Sequence, residues 1–355
     1  MPKQSPSSSR PPTGSLAIIA LVIAGAAGAF AYTAGWLSPT RLTPTKIVDS
    51  LAPPGGPSLG YRRNHAKGIC FTGVFQSNGD GAELSSAQVF ARGEYPALGR
   101  FNLATADAHA PDATVRVRGV GLQLSTPDGE VWRSAMIDAP VFPVSTPERF
   151  YELQLAAGSK DPNAMKAFVA GHPEFAPFAE WAKTAPWTAS YADEPYNGLN
   201  SFIFVNGSGA ERVVRWSLRP QARPAPIAQE DLAKLGPDHL AREIAERVAK
   251  APQRWTMVVT VADASDPTAD PSKAWPAGRR AVEVGVLVMQ RIEGERNGPC
   301  REINFDPTIL PHGVRPSDDP FPAARSAAYA RSYDLRTSEL KYFPHQSEAG
   351  EGGER

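Results

Sequence analysis

Short runs of alternating apolar and polar residues recur along the chain from residue 68 onwards, and this period of two predicts β-strands. Turn-forming residues separate the runs, as in Pro127-Asp128-Gly129 and Asn206-Gly207, and this spacing is typical of hairpins. About eight such runs predict an antiparallel barrel or a sandwich. The runs are Gly68–Gln76, Ala87–Gly93, Thr114–Leu124, Val131–Met136, Asn200–Val205, Val213–Arg219, Trp255–Asp263 and Val282–Arg291.

Several stretches between these runs have the periodicity of helices, so the fold class is α+β. In the fourth stretch Leu240, Ile244 and Val248 repeat every four residues, which predicts one buried helix face. Glu243 and Arg247 would pair on the exposed side. The helical stretches are 147–158, 161–170, 174–184, 228–250 and 322–334.

The N-terminal segment 15–37 contains no charged residue and ends near Tyr32 and Trp36, the aromatic residues expected at a membrane interface. About 20 helical residues cross a bilayer, so the segment predicts one transmembrane helix. A cleaved signal peptide is the alternative, because Ala29-Phe30-Ala31 fits a cleavage site. The uncleaved anchor is favoured since the apolar run continues to Leu37. A buried helix of a soluble protein is the third interpretation.

Composition describes an ordinary globular chain. Its 355 residues include 42% hydrophobic residues and equal numbers of basic and acidic residues, 37 of each, so bulk charge indicates no polyanionic partner and no nucleic acid. Its 35 prolines are about twice the usual share of roughly 5%, which favours loops and edges over a helical bundle. The two cysteines, Cys70 and Cys300, form either a disulfide or two buried thiols, and the sequence favours the thiols.

Two groups of residues are candidates for a chemical role. None of the six histidines has the spacing of a multi-histidine metal site, but His65 follows Arg62 and precedes an apolar strand, where it could act as a general acid/base. Taken alone, an ordinary structural histidine is the commoner case. Arg325 and Tyr329 are four positions apart, so on a helix the guanidinium would lie beside the phenol and lower its pKa. A tyrosinate of this kind can ligate ferric haem, although the spacing by itself is a weak signal.

The sequence around both groups resembles the catalase superfamily, and specifically its small catalase-related haem peroxidases. The resemblance covers roughly residues 52–338 and its motifs occur in order. These motifs are Arg62-x-x-His65-Ala66-Lys67-Gly68, Arg100-Phe101 as the start of a strand, Arg118-Gly119, Pro140-Val141-Phe142 with Pro147 and Phe150, Asn200–Arg219, Asp270-Pro271-x-Lys273-x-Trp275-Pro276, Phe305-Asp306-Pro307, Pro311-x-Gly313-Val314-x-Pro316-Ser317-x-Asp319 and Arg325-x-x-x-Tyr329.

The resemblance implies an antiparallel eight-stranded β-barrel of the haem catalase type with surrounding helices. It implies haem b (iron protoporphyrin IX) as the cofactor, and hydrogen peroxide and a small organic reductant as the substrates. His65 would be the distal acid/base and Tyr329 the axial ligand of the haem iron. The other implied cofactor-binding residues are Arg62, Arg100 and Arg336 at the propionates, Phe150 against the porphyrin and Arg325 beside Tyr329.

Three positions depart from the pattern of large catalases. Ile137 stands where they have an asparagine that orients a second peroxide, and isoleucine cannot donate a hydrogen bond. Asn102 replaces a serine that contacts the distal histidine, and Asn64 replaces a valine. Loss of the distal asparagine favours peroxidase over catalase activity. The alternatives are a haem-dependent lyase or isomerase of fatty-acid hydroperoxides and a non-enzymatic haem-binding protein.

The sequence therefore predicts five segments. They are a disordered N-terminus at 1–14, the anchor or signal segment at 15–37, a linker at 38–51, the haem-binding barrel domain at 52–338 and a disordered polar tail at 339–355. The barrel domain would lie outside the cytoplasm, attached to the membrane on the periplasmic side, or secreted to the periplasm if the segment is cleaved. The electron donor and the oligomeric state remain open, a homodimer included.

Overall fold

The structure is a computed structural model that describes residues 13–36, 38, 41–53 and 55–342. The chain forms two compact units, residues 1–43 and residues 44–355. Residues 1–12 of the predicted disordered N-terminus and residues 343–355 of the predicted tail lie outside the described residues.

The first unit contains helix α1 (Thr13–Thr33), which has no charged residue in its first or last turn. Among the described residues, its segment Gly14–Thr33 is the one helix long and apolar enough to cross a membrane, and its side chains are exposed. The apolar helix predicted at 15–37 is thus present up to Thr33, and a turn follows at 34–36. Length and composition are equally those of a signal sequence.

The second unit contains eleven strands and seven helices within the described residues. The strands are β1 (Gly68–Ser77), β2 (Gly93–Leu103), β3 (Arg118–Ser125), β4 (Val131–Ile137), β5 (Trp187–Thr188), β6 (Tyr196–Val205), β7 (Glu211–Pro220), β8 (Pro226–Ile227), β9 (Gln253–Val261), β10 (Ala281–Glu293) and β11 (Val314–Pro316). The helices are α2 (Pro44–Ser50), α3 (Pro147–Ala157), α4 (Ala164–Gly171), α5 (Ala176–Thr184), α6 (Gln229–Lys234), α7 (His239–Lys250) and α8 (Phe321–Tyr342).

Eight of the strands form a closed antiparallel barrel. Neighbours pair in the order β6, β4, β3, β2, β1, β10, β9, β7, and β7 pairs with β6 to close the ring. Closure removes free sheet edges, and only the short β11 is added outside the ring, against β6. The prediction of an eight-stranded antiparallel barrel with surrounding helices is therefore confirmed.

Large aromatic side chains fill the barrel. Phe71, Phe75 and Phe101 are fully buried, and the Phe101 ring stacks on Tyr191 with 5.0 Å between centroids. Because successive residues of a strand point to opposite faces, Phe101 inside the barrel places Arg100 and Asn102 on the outer face of β2. The barrel interior is thus a packed core, and the polar groups of β2 lie outside it.

One predicted strand is wrong. The run Ala87–Gly93 forms a 3₁₀ turn at Gln88–Phe90, and β2 begins only at Gly93. Ala87 and Val89 are buried on either side of the exposed Gln88, which produces an alternating pattern without strand pairing. Arg100 consequently lies towards the end of β2, and not at the start of a strand as predicted.

The helical predictions hold with two changes of boundary. The stretch 228–250 is two helices, because Gly236 has a φ of 99° and Pro237 cannot continue a helix. Helix α8 continues to Tyr342, eight residues beyond the predicted end at 334. The segment 38–51, predicted as a linker, contains α2. On α7 the predicted face is buried as expected, with Leu240, Ile244 and Val248 at 7% exposure or less.

Cys70 and Cys300 form a disulfide with 5.4 Å between their Cα atoms, so the prediction of two buried thiols is wrong. Cys70 lies in β1 opposite Glu293, the last residue of β10, and the loop after β10 returns past it. The 230 residues that separate the two cysteines hid this proximity from the sequence.

Removing the disulfide should destabilise the barrel unit. A bond that closes so long a loop restricts the unfolded chain, so Cys70→Ala/Cys300→Ala should reduce the free energy of unfolding by about 2–4 kcal/mol. Guanidinium unfolding of the full chain in detergent, followed by circular dichroism, measures this change. Dithiothreitol should destabilise the wild type and leave the variant unaffected; equal stability of the two proteins without reductant would contradict the expectation.

Candidate active site

A cavity of about 500 Å³ lies between the outer face of β2–β4 and helices α2, α3 and α8. All seven residues that the sequence analysis selects line it. They are Arg62, His65, Arg100, Phe150, Arg325, Tyr329 and Arg336. The three positions that depart from large catalases line it as well, namely Asn64, Asn102 and Ile137. The fold therefore brings residues from the two ends of the second unit to one place.

The backbone of His65 adopts a left-handed conformation with a φ of 55°. It is the only residue other than glycine with a positive φ among those that the structure describes. Such a conformation costs about 1–3 kcal/mol unless the surroundings hold it. Here the Asn64 side chain accepts a hydrogen bond from the His65 N–H at 2.8 Å, and the Ala66 N–H donates to the Thr105 carbonyl at 2.8 Å.

The His65 ring is held by Asn102. Its Nδ1 lies 2.6 Å from Asn102 Oδ1, while Asn102 Nδ2 donates to the Arg100 carbonyl at 3.3 Å. Since Oδ1 only accepts hydrogen bonds, Nδ1 carries the proton and Nε2 is free to accept one. Gly119 makes room for this amide, because a Cβ there would lie 2.5 Å from Asn102 Oδ1.

Burial lowers the pKa of His65 from its ordinary value of 6.5 to about 4. The hydrogen bond to Asn102 opposes this shift of the pKa, and the positive charges of Arg100 and Arg325 add to it. His65 is therefore a neutral imidazole over the physiological pH range. It can accept a proton without first losing one.

Arg325 and Tyr329 lie one turn apart on α8, as the spacing predicts. Arg325 Nη2 donates to the Tyr329 hydroxyl at 3.0 Å, and its Nη1 donates to Asn200 Oδ1 at 2.6 Å. Asn200 is fixed in turn by Asp319, to which it donates at 3.0 Å. Sequence reasoning assigned no role to Asn200 or Asp319, because β6, which carries Asn200, and the loop before α8, which carries Asp319, are far apart in the chain.

A buried cluster of charges lies at one edge of the cavity. Arg100 donates to both carboxylate oxygens of Glu295, from Nε at 2.8 Å and from Nη2 at 2.6 Å, and Arg62 forms a second ion pair with Glu295. Sequence reasoning missed Glu295, which lies in a polar loop without any motif. The guanidinium of Arg336 lies near the same edge, where the charges of Glu302 and Glu295 both act on it, so arginines outnumber carboxylates there.

The environment shifts the titration of this cluster. Burial lowers the pKa of Arg62 to about 9, with Arg100 adding to the shift and Glu295 opposing it. Burial alone would raise the pKa of Glu295, but the charges of Arg100 and Arg62 lower it below its ordinary value. Glu295 is therefore an ionised carboxylate at neutral pH.

Arg336 has a hydrogen-bond donor that the described part of the protein does not use. It is 3% exposed, its Nη1 donates to the Arg301 carbonyl at 2.7 Å, and its buried Nε has no hydrogen-bond partner in the described part of the chain. Buried donors are almost always satisfied, so an unpaired one at a cavity wall suits an anionic ligand. Of the three arginines, Arg336 is the one whose donors are least used by the protein itself.

The opposite wall of the cavity is apolar. Phe150 of α3 contacts Phe142 with 5.7 Å between ring centroids, and Phe142 contacts Phe321 at 4.8 Å. Ile137 lies at the seam of the barrel, where it pairs with Asn197 of β6 and contributes no hydrogen-bonding side chain. The cavity thus combines apolar walls with one positively charged edge, one neutral imidazole and one arginine-bonded phenol.

A closed eight-stranded barrel with this cavity on its outer face defines a class of redox enzymes, and comparison with known proteins identifies it. The family model described as "Catalase" matches residues 30–342. The chain therefore belongs to the catalase family.

Within the family the chain is similar to catalase-related peroxidases. It is 32% identical over 328 residues to the catalase-related peroxidase of Synechococcus elongatus, which covers 91% of this chain and 97% of that protein. It is 33% identical over 301 residues to the catalase-related peroxidase of Mycolicibacterium paratuberculosis, covering 83% and 95%. The protein is accordingly an oxidoreductase that acts on a peroxide.

Solved catalases have the same fold. A bacterial catalase superposes with a TM-score of 0.69 at 21% identity, and catalase A from Saccharomyces cerevisiae with a TM-score of 0.69 at 19% identity. Each superposition covers 79% of this chain but only 58% and 62% of the catalase chains. The chain thus spans about three-fifths of the length of these catalases.

Proposed function

We propose that this protein is a haem-dependent peroxidase that reduces hydrogen peroxide, or an organic peroxide, with a small organic electron donor, and that it has weak catalase activity. One observation carries the proposal: a single cavity presents a neutral imidazole at His65 and an arginine-bonded phenol at Tyr329. An acid/base group and a protein ligand for the haem iron are the two groups that this chemistry uses.

The residues present fit haem b, an apolar macrocycle with two propionates. The arginine-rich edge of the cavity suits two carboxylates, and the unpaired Nε of Arg336 offers a donor to one of them. Phe150 would pack against the porphyrin. Tyr329 would ligate the haem iron, and the Arg325 guanidinium donates a hydrogen bond to its hydroxyl oxygen. When bound, haem supplies the redox-active iron at which the peroxide O–O bond breaks.

His65 would move the proton. Its Nε2 accepts the proton from one peroxide oxygen and delivers it to the other as the O–O bond breaks. Asn102 keeps the ring in the required tautomer by accepting from Nδ1–H. The depressed pKa of His65 keeps the base available at neutral and mildly acidic pH.

Ile137 supports peroxidase over catalase activity. The dismutation of peroxide needs a second peroxide held in position, and an isoleucine provides no hydrogen bond for it. Reduction by an external organic donor needs no such placement. The catalase reaction is therefore proposed as a minor activity.

We further propose that the barrel lies outside the cytoplasm. Helix α1 can serve as an anchor or as a signal segment. The Cys70–Cys300 disulfide adds independent support, because disulfides form and persist in oxidising compartments such as the bacterial periplasm.

Stopped-flow absorbance spectroscopy tests the proposed activity on the full chain in detergent with haem supplied. We expect a ferric Soret band that changes within seconds of adding hydrogen peroxide and returns when a phenolic donor is added. A chain that binds no haem, or a band that ignores peroxide, would refute the proposal. Conversion of a fatty-acid hydroperoxide without consumption of a reductant would indicate a lyase or isomerase instead.

A further inference from the structure

Glu295 is a partly buried carboxylate that pairs with two arginines at the cavity edge, and neither the motifs nor the comparisons give it a role. We propose that Glu295 is a positioning residue, which holds the catalytic loop around His65 in its strained conformation by clamping Arg100. The inference rests on the proposed function, since it takes His65 as the acid/base.

Arg100 connects the two sites directly. One side of its guanidinium donates to both oxygens of Glu295, at 2.8 and 2.6 Å. The other side donates to the backbone carbonyls of His65, at 2.8 Å, and Ala66, at 3.0 Å. Arg100 is 1% exposed, so a change in the orientation of its guanidinium would break these buried contacts. Glu295 thereby determines where the two carbonyls of the histidine loop are held.

Arg62 gives the loop a second attachment to the same carboxylate. It precedes His65 by three residues, pairs with Glu295, and donates from Nη2 to the carbonyls of Cys300 and Ile303 at 3.1 and 3.0 Å. Glu295 therefore bridges two arginines that flank the histidine, one in its own loop and one in the neighbouring strand.

The position of Glu295 in the barrel places it close to Arg100 and to the disulfide. It is the second residue after β10, in the loop that the disulfide ties to β1. In the β-sheet register, Cys70 pairs with Arg100 on one side and with Glu293 on the other. The disulfide, Glu295 and Arg100 therefore lie at the same position along the barrel axis. The Cys70–Cys300 bond limits how far the Glu295 carboxylate can move.

The left-handed backbone conformation of His65 depends on contacts that hold it in place. His65 has a φ of 55°, and a histidine there relaxes to ordinary backbone when the surrounding contacts are lost. A displacement of about 1 Å at a catalytic group costs roughly 100-fold in rate. A contact that fixes the carbonyls of His65 and Ala66 is therefore expected to affect proton transfer without touching the substrate.

The test compares Glu295→Gln and Glu295→Asp with the wild type, in the full chain in detergent. Glu211→Gln serves as the control, because it removes an exposed carboxylate that also pairs with an arginine, Arg315, and neither residue lines the cavity. Two quantities are measured: hydrogen–deuterium exchange of the peptide around His65, with and without haem, and the rate constant for the Soret change with hydrogen peroxide.

Glu295→Gln should increase exchange in the 62–68 segment about tenfold and slow the peroxide reaction about 10- to 100-fold, with the ferric spectrum unchanged. Glu295→Asp keeps the charge but is one methylene too short for the two-point contact, so both effects should be intermediate. If Glu295→Gln does not fold, the two measurements on Glu295→Asp still test the proposal. The control should match the wild type.

The proposal would be overturned if hydrogen–deuterium exchange in both variants equalled that of the wild type. It would also be overturned if Glu295→Gln reacted slowly with peroxide while Glu295→Asp behaved as the wild type, because charge alone would then explain the effect. Failure of the proposed function is distinguishable: a wild type that ignores peroxide refutes the haem peroxidase, while the exchange measurement on the haem-free chain still tests the clamp.

Discussion

Tyr329→Phe should leave the protein almost without bound haem, with an affinity at least about 100-fold weaker than that of the wild type. The phenol is the only group on its turn of α8 that can give iron an anionic oxygen, and Arg325 donates to this oxygen at 3.0 Å. The absorbance ratio of haem to protein after size-exclusion chromatography measures the loss.

The matched control for this variant is Tyr333→Phe, because Tyr333 lies one turn further along α8 and also lines the cavity. It should retain haem. Arg325→Ala should be milder than Tyr329→Phe, about tenfold in affinity, because it removes the partner of the ligand and not the ligand itself. A normal high-spin ferric spectrum in Tyr329→Phe would refute the assignment of the axial ligand.

His65→Ala should bind haem normally and react with hydrogen peroxide about 100- to 10,000-fold more slowly, the usual contribution of a general acid/base. The substitution removes the only described histidine on the cavity wall and leaves Arg325 and Tyr329 unchanged. Stopped-flow absorbance gives the rate constant. His312→Ala, at an exposed histidine, should behave as the wild type. Peroxide reactivity that survives in His65→Ala would mean that the cavity binds haem without using this residue.

The pH dependence of the wild type provides a second measurement of the same role. The reaction needs the neutral imidazole, and burial lowers the pKa of His65 to about 4. An unperturbed histidine would become protonated below pH 6.5, whereas here the rate should stay constant from pH 7 to about pH 5 and fall only towards pH 4. The positive charges of Arg100, Arg325 and Arg62 act on the ring in the same direction as burial. A fall in rate centred near pH 6.5 would contradict a buried neutral base.

Strand prediction from the sequence failed at β2, and the functional site explains why. A barrel strand is recognised by apolar residues on its inner face and solvated residues on its outer face. The outer face of β2 carries the buried polar residues Arg100 and Asn102, and the strand also contains Pro96, which ordinarily argues against a strand. Because these outer-face residues line the cavity and do not face solvent, the usual alternation of apolar and polar residues is weak in β2, and the sequence pattern did not reveal the strand.

The candidate site was predictable as far as its residues are local in sequence or belong to motifs. The four-residue spacing of Arg325 and Tyr329 is itself the geometry of a helix face, so the hydrogen bond between them follows from the sequence. His65 was selected by its motif. Glu295 was not, because it meets Arg100 across 195 positions and nothing in the polar loop around it distinguishes it from a surface glutamate.

The sequence by itself determined the apolar N-terminal helix, the buried face of α7, the barrel strands other than β2 and the residues of the catalase motifs, since all of these depend on periodicity or on neighbours a few positions away. The tertiary structure decided the Cys70–Cys300 disulfide, the clamp of Glu295 on Arg100 and the left-handed conformation of His65. The physical reason is the same in each case: β1 pairs with both β2 and β10, and the fold thereby places residues that are far apart in the chain within reach of one bond.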